Sequence, residues 1–178
     1  MEKAVEVAQF AGHSADVMSV SVNPETKTQF VSGACDAVCR LWDIREPSSF
    51  DNKTRAVGIY EGHESDVNAV DFMKNGESFC TGSDDSSCRL FDLRAYSCVS
   101  TFATDKIVCG ITSASLSKGG RVLFAGYDES MCIGWDVFTG VGDKNWFTHD
   151  GRVSCLGVSS NGAALATGSW DMIMKVWA

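Results

Sequence analysis

The sequence predicts an all-β chain of four repeated units, and three observations carry that reading. A glycine stands nine residues before an aromatic four times over, as Gly33 to Trp42, Gly82 to Phe91, Gly126 to Trp135 and Gly168 to Trp177. The aromatics are 49, 44 and 42 residues apart, within or slightly above the ~40–45 residue period of repeats built from four short strands. His13 precedes Trp42 by 29 residues, and His63 and His149 each precede Phe91 and Trp177 by 28, while the third unit has Thr104 where the histidine would stand.

Taken in order, the first unit opens with an outer strand around Val5–Phe10 and turns at Asn23-Pro24. The second shows the scheme most fully. Val67–Phe72 alternates into a strand, Asn75-Gly76 supplies the positive φ angles of a tight hairpin, Ser78–Thr81 pairs back, and Gly82-Ser83-Asp84-Asp85 turns into Cys88–Leu93. Gly119-Gly120 and Asn161-Gly162 hold the same hairpin place in the third and fourth units. Helical periodicity is missing throughout. Period and signature together are those of a WD-repeat β-propeller with four-stranded antiparallel blades, its repeats at about 5–43, 57–92, 98–136 and 145–177. Each repeat of such a fold begins with the outer strand of the preceding blade, so the first outer strand lacks a blade and the last blade lacks an outer strand. Either one caps the other and a four-bladed ring closes, or the chain is an open arc with exposed edges.

Composition narrows the function. A net charge of −8 over 178 residues repels nucleic acid and favours a cationic protein surface. No apolar run approaches the ~20 residues of a membrane helix, the N-terminal segment lacks an apolar signal core, and the C-terminus is no prenylation box. Membrane attachment would therefore go through another molecule. The eight cysteines form no CxxC pair; they read as small buried hydrophobes in a reducing compartment, not as zinc ligands or disulfides, and no metal or cofactor is expected.

His13, Ser32, Asp36 and Trp42 invite comparison with a hydrolase triad, but the set recurs as His63, Thr81, Asp85 and Phe91 and again as His149, Thr167, Asp171 and Trp177. An enzyme needs one site, and no nucleophile elbow is present. The structural reading accounts for every member: aspartate accepts from histidine, histidine bonds the hydroxyl, and the hydroxyl meets the indole N–H. The third unit has Thr104, Ala125 and Glu129 at these places, so its blade should rest on apolar packing by Val122, Leu123, Phe124 and Trp135.

The phrases GHESDVNAV, TGSDDSSCRLFDLRA, CGITSASLSKGGRVLFAGYDE and RVSCLGVSSNGAALATGSWDMIMKVWA closely resemble the beta subunit of heterotrimeric G proteins, from about Val5 to Ala178. The resemblance implies a seven-bladed propeller behind an N-terminal helix, near-permanent binding of a gamma subunit, and docking of the switch region of a GDP-bound alpha subunit on the narrow face. It implies release of beta–gamma to effectors downstream of a receptor, no catalysis, and a cytoplasmic position at the inner face of the plasma membrane through lipidated partners. Four repeats would be the C-terminal four of seven, an incomplete ring. The gamma-binding helix and three blades are not in this sequence, so the chain is expected to be a piece of a longer one or else a truncated natural product, with gamma binding in doubt for it and alpha binding weak. A WD scaffold of another kind, anchoring a kinase or presenting substrates to a ubiquitin ligase, would use the same face for a different ligand.

Carried over by position, the alpha-contact motifs place Asp16 and Met18 in HSADVM, Asp66 and Asn68 in HESDVN, Asp84 in GSDD and Trp170 in GSWD. These residues flank loops that gather on one propeller face. An acidic rim of Asp16, Asp66, Asp84 and Asp128 would steer a basic partner, and Trp170 would anchor it. Asp66 and Asp84 also suit turns for local hydrogen bonding alone, and Asp128 suits a solvated surface. Arg152 either reaches the same face or pairs with Asp150.

Overall fold

The computed structural model of the protein describes Glu6, residues 8–46 and residues 53–178. Its strands are β1 (Gln9–Phe10), β2 (Val17–Val22), β3 (Gln29–Ala34), β4 (Cys39–Asp43), β5 (Lys53–Thr54), β6 (Gly58–Tyr60), β7 (Val67–Phe72), β8 (Ser78–Ser83), β9 (Cys88–Asp92), β10 (Ser97–Phe102), β11 (Ile111–Leu116), β12 (Val122–Tyr127), β13 (Met131–Asp136), β14 (Gly142–Thr148), β15 (Val153–Val158), β16 (Leu165–Ser169) and β17 (Met174–Trp177). All but β1 and β5 form antiparallel sheets, in the orders β2-β3-β4-β6, β7-β8-β9-β10, β11-β12-β13-β14 and β15-β16-β17. These are the blades of a WD propeller, and the ring is not closed. The strand preceding each unit completes the sheet of the unit before it, as β6 does for the first blade, while the last blade has three strands.

The early outer strand does not cap that last blade. Val5 and Val7 lie outside the described residues, and Gln9–Phe10 pairs in parallel with β5 instead. Phe10 rests edge-on against Phe30, with ring centroids 4.9 Å apart, so an apolar contact within the first blade holds this segment.

Hairpins between first and second strands of the last three blades share one chemistry. Gly76, Gly120 and Gly162 take φ of 66°, 70° and 77°, and each donates its amide three residues back, to Met73, Ser117 and Ser159. Asn75 is not among the positive-φ residues. The turn is thus a type I turn followed by a left-handed glycine, and the expected pair of positive φ angles at Asn75-Gly76 is corrected to one. In the first blade Lys27, at φ 56°, takes the glycine's place, and the Asn23 carboxamide oxygen caps the amides of Glu25 and Thr26.

The core lies between blades. Val31, Cys39, Leu41, Tyr60, Val67, Val70, Phe72, Phe79 and Phe91 pack between the first and second sheets. A second cluster around Cys88, Phe102, Ile111, Leu123, Tyr127 and Trp135 joins the second and third. Inner strands β2, β7, β11 and β15 stand side by side. Of the eight cysteines, all free, Cys39, Cys80, Cys88 and Cys132 are buried, and burial pushes the Cys132 thiol up to about 12. Cys155 is exposed, against the expectation of a core filler, because its side of β15 has no neighbouring sheet.

Candidate protein-binding face

Three of the four blades carry the polar network that their spacing implies. His13 Nδ1 lies 2.9 Å from the Asp36 carboxylate and Nε2 lies 2.7 Å from Ser32 Oγ, and the Trp42 indole donates to that oxygen at 2.8 Å. The fourth blade repeats it through His149, Asp171 (2.8 Å), Thr167 (2.8 Å) and Trp177 (3.0 Å). Because the carboxylate only accepts, Nδ1–H donates to the aspartate, and with a neutral imidazole Nε2 then accepts from the hydroxyl, whose oxygen in turn accepts from the indole. In the second blade His63 meets Asp85 at 2.7 Å and Thr81 at 2.6 Å. Phe91 has no N–H, so its place in the chain of bonds is corrected: Thr81 Oγ1 also lies 3.4 Å from the Arg89 carbonyl, and Phe91 stacks on Phe79.

The aspartates also accept from backbone amides of both loops they join, Asp36 from Ser14 and Val38, Asp85 from Glu64 and Ser87, Asp171 from Asp150 and Ile173. They thereby hold Ala37, Ser86 and Met172 at positive φ, where L-residues are strained. The loop entering each blade is fixed to the turn between its second and third strands.

Burial alone would raise these carboxyls; the histidine and amide bonds outweigh it and leave Asp36 and Asp85 below the ordinary value and Asp171 at about 2. A depressed folded-state pKa means that the native form binds fewer protons, so this stability is complete above the unfolded value of ~3.9 and is lost as pH falls toward 2. The melting temperature is expected to drop between pH 4 and pH 2, and Asp171→Asn to flatten the drop. Parallel pH profiles for the variant and the parent protein would count against this origin.

The third blade departs as its sequence implies. Ala125 offers no hydroxyl, and Trp135 Nε1 is buried without a hydrogen-bond partner, as are Tyr127 Oη and Ser113 Oγ. Burial pushes the Tyr127 phenol well up, offset slightly by the nearby Trp135 indole. Leu123 and Trp135 are buried as expected, whereas Val122 and Phe124 are half-buried; Phe102, Ile107 and Ile133 supply the remaining packing.

The fixed loops bring all eight predicted contact residues to one face. The second-to-third-strand turn of each blade donates an amide to its entering loop at equivalent places, Cys35 to Asp16, Asp84 to Asp66, Asp128 to Gly110 and Trp170 to Arg152. Met18, Asn68, Arg152 and Trp170 line one shallow depression, together with Thr112 and Ser154. Those last two were not singled out from the sequence, yet the second position of each inner strand, shared with Met18 and Asn68, marks them. Asn68 Nδ2 donates to Asp84 at 2.6 Å and to the Ile111 carbonyl at 3.0 Å.

Electrostatics on this face have two parts. Arg152 pairs with Asp128 at 2.7 Å, which corrects the suggested Asp150 pairing, and its guanidinium lies 4.9 Å over the Trp170 ring. Trp170 is 69% exposed. Asp128 is thus neutralised, and the acidity rests on Asp16, Asp66 and Asp84. Close to them, the hydrogen bond with Asp66 pushes the Cys35 thiol up to about 11, with burial and the charges of Asp66, Asp16 and Asp84 adding to the rise. The hydroxyls of Ser32, Thr81 and Thr167 are buried within their networks. No cluster of three potential metal ligands occurs among the described residues, nor any helix long and apolar enough to cross a membrane.

Comparison with known proteins agrees with this architecture. The model of the G protein beta WD-40 repeat proteins matches residues 1–178. Guanine nucleotide-binding protein subunit beta of Oryza sativa subsp. japonica is 46% identical, with 94% of this chain and 45% of that protein covered. The proteins of the same name from Zea mays and Arabidopsis thaliana are 47% and 44% identical over the same shares. The chain therefore spans 45% of the length of these curated relatives. With the blades, the repeated network and a match along the whole chain, it belongs to the G protein beta WD-40 repeat family.

Proposed function

We propose that the chain forms the blades, at about 5–43, 57–92, 98–136 and 145–177, of a non-catalytic signal transducer, a G protein beta subunit. Its loop face docks the switch region of a GDP-bound alpha subunit and, after alpha leaves, effector proteins. The observation that carries this reading is the exposed Trp170 ring held under Arg152, in one depression with Asn68, which bonds the acidic side chain of Asp84. A pre-positioned indole loses little rotamer freedom on binding, and the acids attract a basic partner over a distance. Catalysis has no place in this reading, because each of the three histidines is consumed, with its hydroxyl and aspartate, in holding loops. A gamma subunit would bind mainly elsewhere in a longer chain, and lipids on the partners would hold the assembly at the cytoplasmic side of the plasma membrane.

Binding to a GDP-loaded alpha subunit, followed by biolayer interferometry, tests it. Trp170→Ala is expected to weaken binding roughly 30-fold, the loss of an interface hot spot. Asp66→Ala should slow association and reduce its salt dependence, with little change in dissociation. Both variants binding like the parent protein would refute the assignment of this face.

A further inference from the structure

Of the four loops that enter the blades on the binding face, the third is built differently. Val17, Val67 and Val153 open their inner strands four residues after His13, His63 and His149, whereas Ile111 follows Thr104 by seven. Each short loop is tied at its start, where the Asp36, Asp85 or Asp171 carboxylate accepts from the histidine and from the next amide, of Ser14, Glu64 or Asp150. The long loop lacks this tie. Glu129 stands in the aspartate's place, and among the described residues the side chains of Thr104, Asp105, Lys106 and Val108 make no hydrogen bond or ion pair.

Two points hold the long loop. The Ile107 side chain is buried in the cluster between the second and third blades, and its amide turns back to the Thr104 carbonyl at 3.0 Å. Gly110 gives its carbonyl to the Asp128 amide at 2.8 Å, and the Asp84 carboxylate lies directly against it, where a Cβ would collide. Just beyond, the Ile111 carbonyl takes the Asn68 carboxamide and Thr112 lines the depression with Trp170. Between the two points Val108 projects into water, 89% exposed. The loop thus springs from the contact residues themselves and carries an uncovered apolar side chain.

We propose, given the docking role of this face, that residues 104–110 form an adaptable arm of it, which closes Val108 onto the docked protein. Val108 precedes Thr112 by four residues. At ~3.3–3.6 Å per residue it stands at most about 14 Å from the depression, well inside the roughly 30 Å span of a standard interface. Moving the arm disturbs one backbone bond, from Ile107 to Thr104, whereas moving any short loop would break a buried carboxylate–histidine pair. Local motion therefore concentrates in the arm. Three tied loops give a rigid frame and the fourth gives fit, which suits a face that takes an alpha subunit and effectors in turn. Ordering the arm opposes binding, so covering Val108 adds a few-fold in affinity and no more.

Amide hydrogen exchange of the chain, alone and with a saturating GDP-loaded alpha subunit, tests this at single-residue level. In the free chain the amides of Asp105, Lys106, Val108 and Cys109 should exchange roughly 100-fold faster than those of Ser14, Glu64 and Asp150, and in the complex they should slow roughly tenfold. Val108→Ser should speed dissociation about fivefold, with association unchanged. Because Val108 is exposed in the free chain, the melting temperature should not move, which separates a contact from a structural role. Binding that Trp170→Ala weakens, without added protection at 105–109 or with Val108→Ser dissociating like the parent, would overturn the arm and leave the docking face standing. Absence of binding overturns both, and equal exchange of the four loops in the free chain overturns the arm alone.

Discussion

His63→Ala is expected to lower the melting temperature by about 10 °C, and Thr104→Ala by about 2 °C or less, in scanning calorimetry at pH 7. Removing the imidazole leaves the Asp85 carboxylate and the Thr81 hydroxyl without their short partners, at 2.7 and 2.6 Å, in a place where the histidine side chain is only 1% exposed. Losing one member of a buried, hydrogen-bonded charge network costs roughly 3–4 kcal/mol. At ~2–4 °C per kcal/mol for a chain of this length, that gives the stated shift. Two neighbouring features enlarge the cost. Asp85 also ties the Glu64 and Ser87 amides, and Ser86 depends on that turn to stay at φ 68°. Thr104, at the matching place in the third blade, accepts the Ile107 amide through its backbone carbonyl, which alanine retains. Equal shifts in the two variants would sink the argument that the network, and not mere position in the repeat, supplies stability.

The networks were legible in the sequence because their members recur at fixed separations inside one repeat. Histidine stands 22 or 23 residues before its aspartate in all three cases, and side chains of such complementary chemistry have few other uses at that spacing. Legibility fell wherever the partner lies in another blade. Arg152 invited pairing with Asp150, two residues away, but the loop entering the fourth blade sits beside the turn of the third, and Asp128 is the partner. Thr112 and Ser154 are inconspicuous residue types; only alignment of the four inner strands puts them beside Met18 and Asn68. Period-two alternation predicts which side of a strand Cys155 occupies, not whether another sheet covers that side. Asn75-Gly76 signalled a tight turn correctly but not its type, since the dipeptide suits both a primed turn and a type I turn closed by a left-handed glycine.

Gly82→Ala is expected to destabilise the chain by roughly 3 kcal/mol or more, although it adds a single methyl group in a strand, where alanine is ordinarily no worse than glycine. The new Cβ would stand 2.5 Å from Ile111 Cγ2 and 3.3 Å from its Cβ. Ile111 cannot move aside cheaply. It is fully buried, its branched Cβ restricts χ1, and its carbonyl receives the Asn68 carboxamide at 3.0 Å. Relief must therefore come from moving whole blades apart, which opens the cluster of Ala69, Cys88, Ile111, Ala114 and Tyr127 between them. Gly119→Ala provides the opposite case. Nothing lies within 4 Å of its Cβ position and its φ is not left-handed, so the substitution removes only unfolded-state freedom and should stabilise by ~0.4–1 kcal/mol. Urea unfolding of both variants gives the comparison directly. A Gly82→Ala midpoint within error of the parent protein would mean that the blades can part without loss, and that the glycine nine residues before each aromatic is not there to admit the neighbouring inner strand.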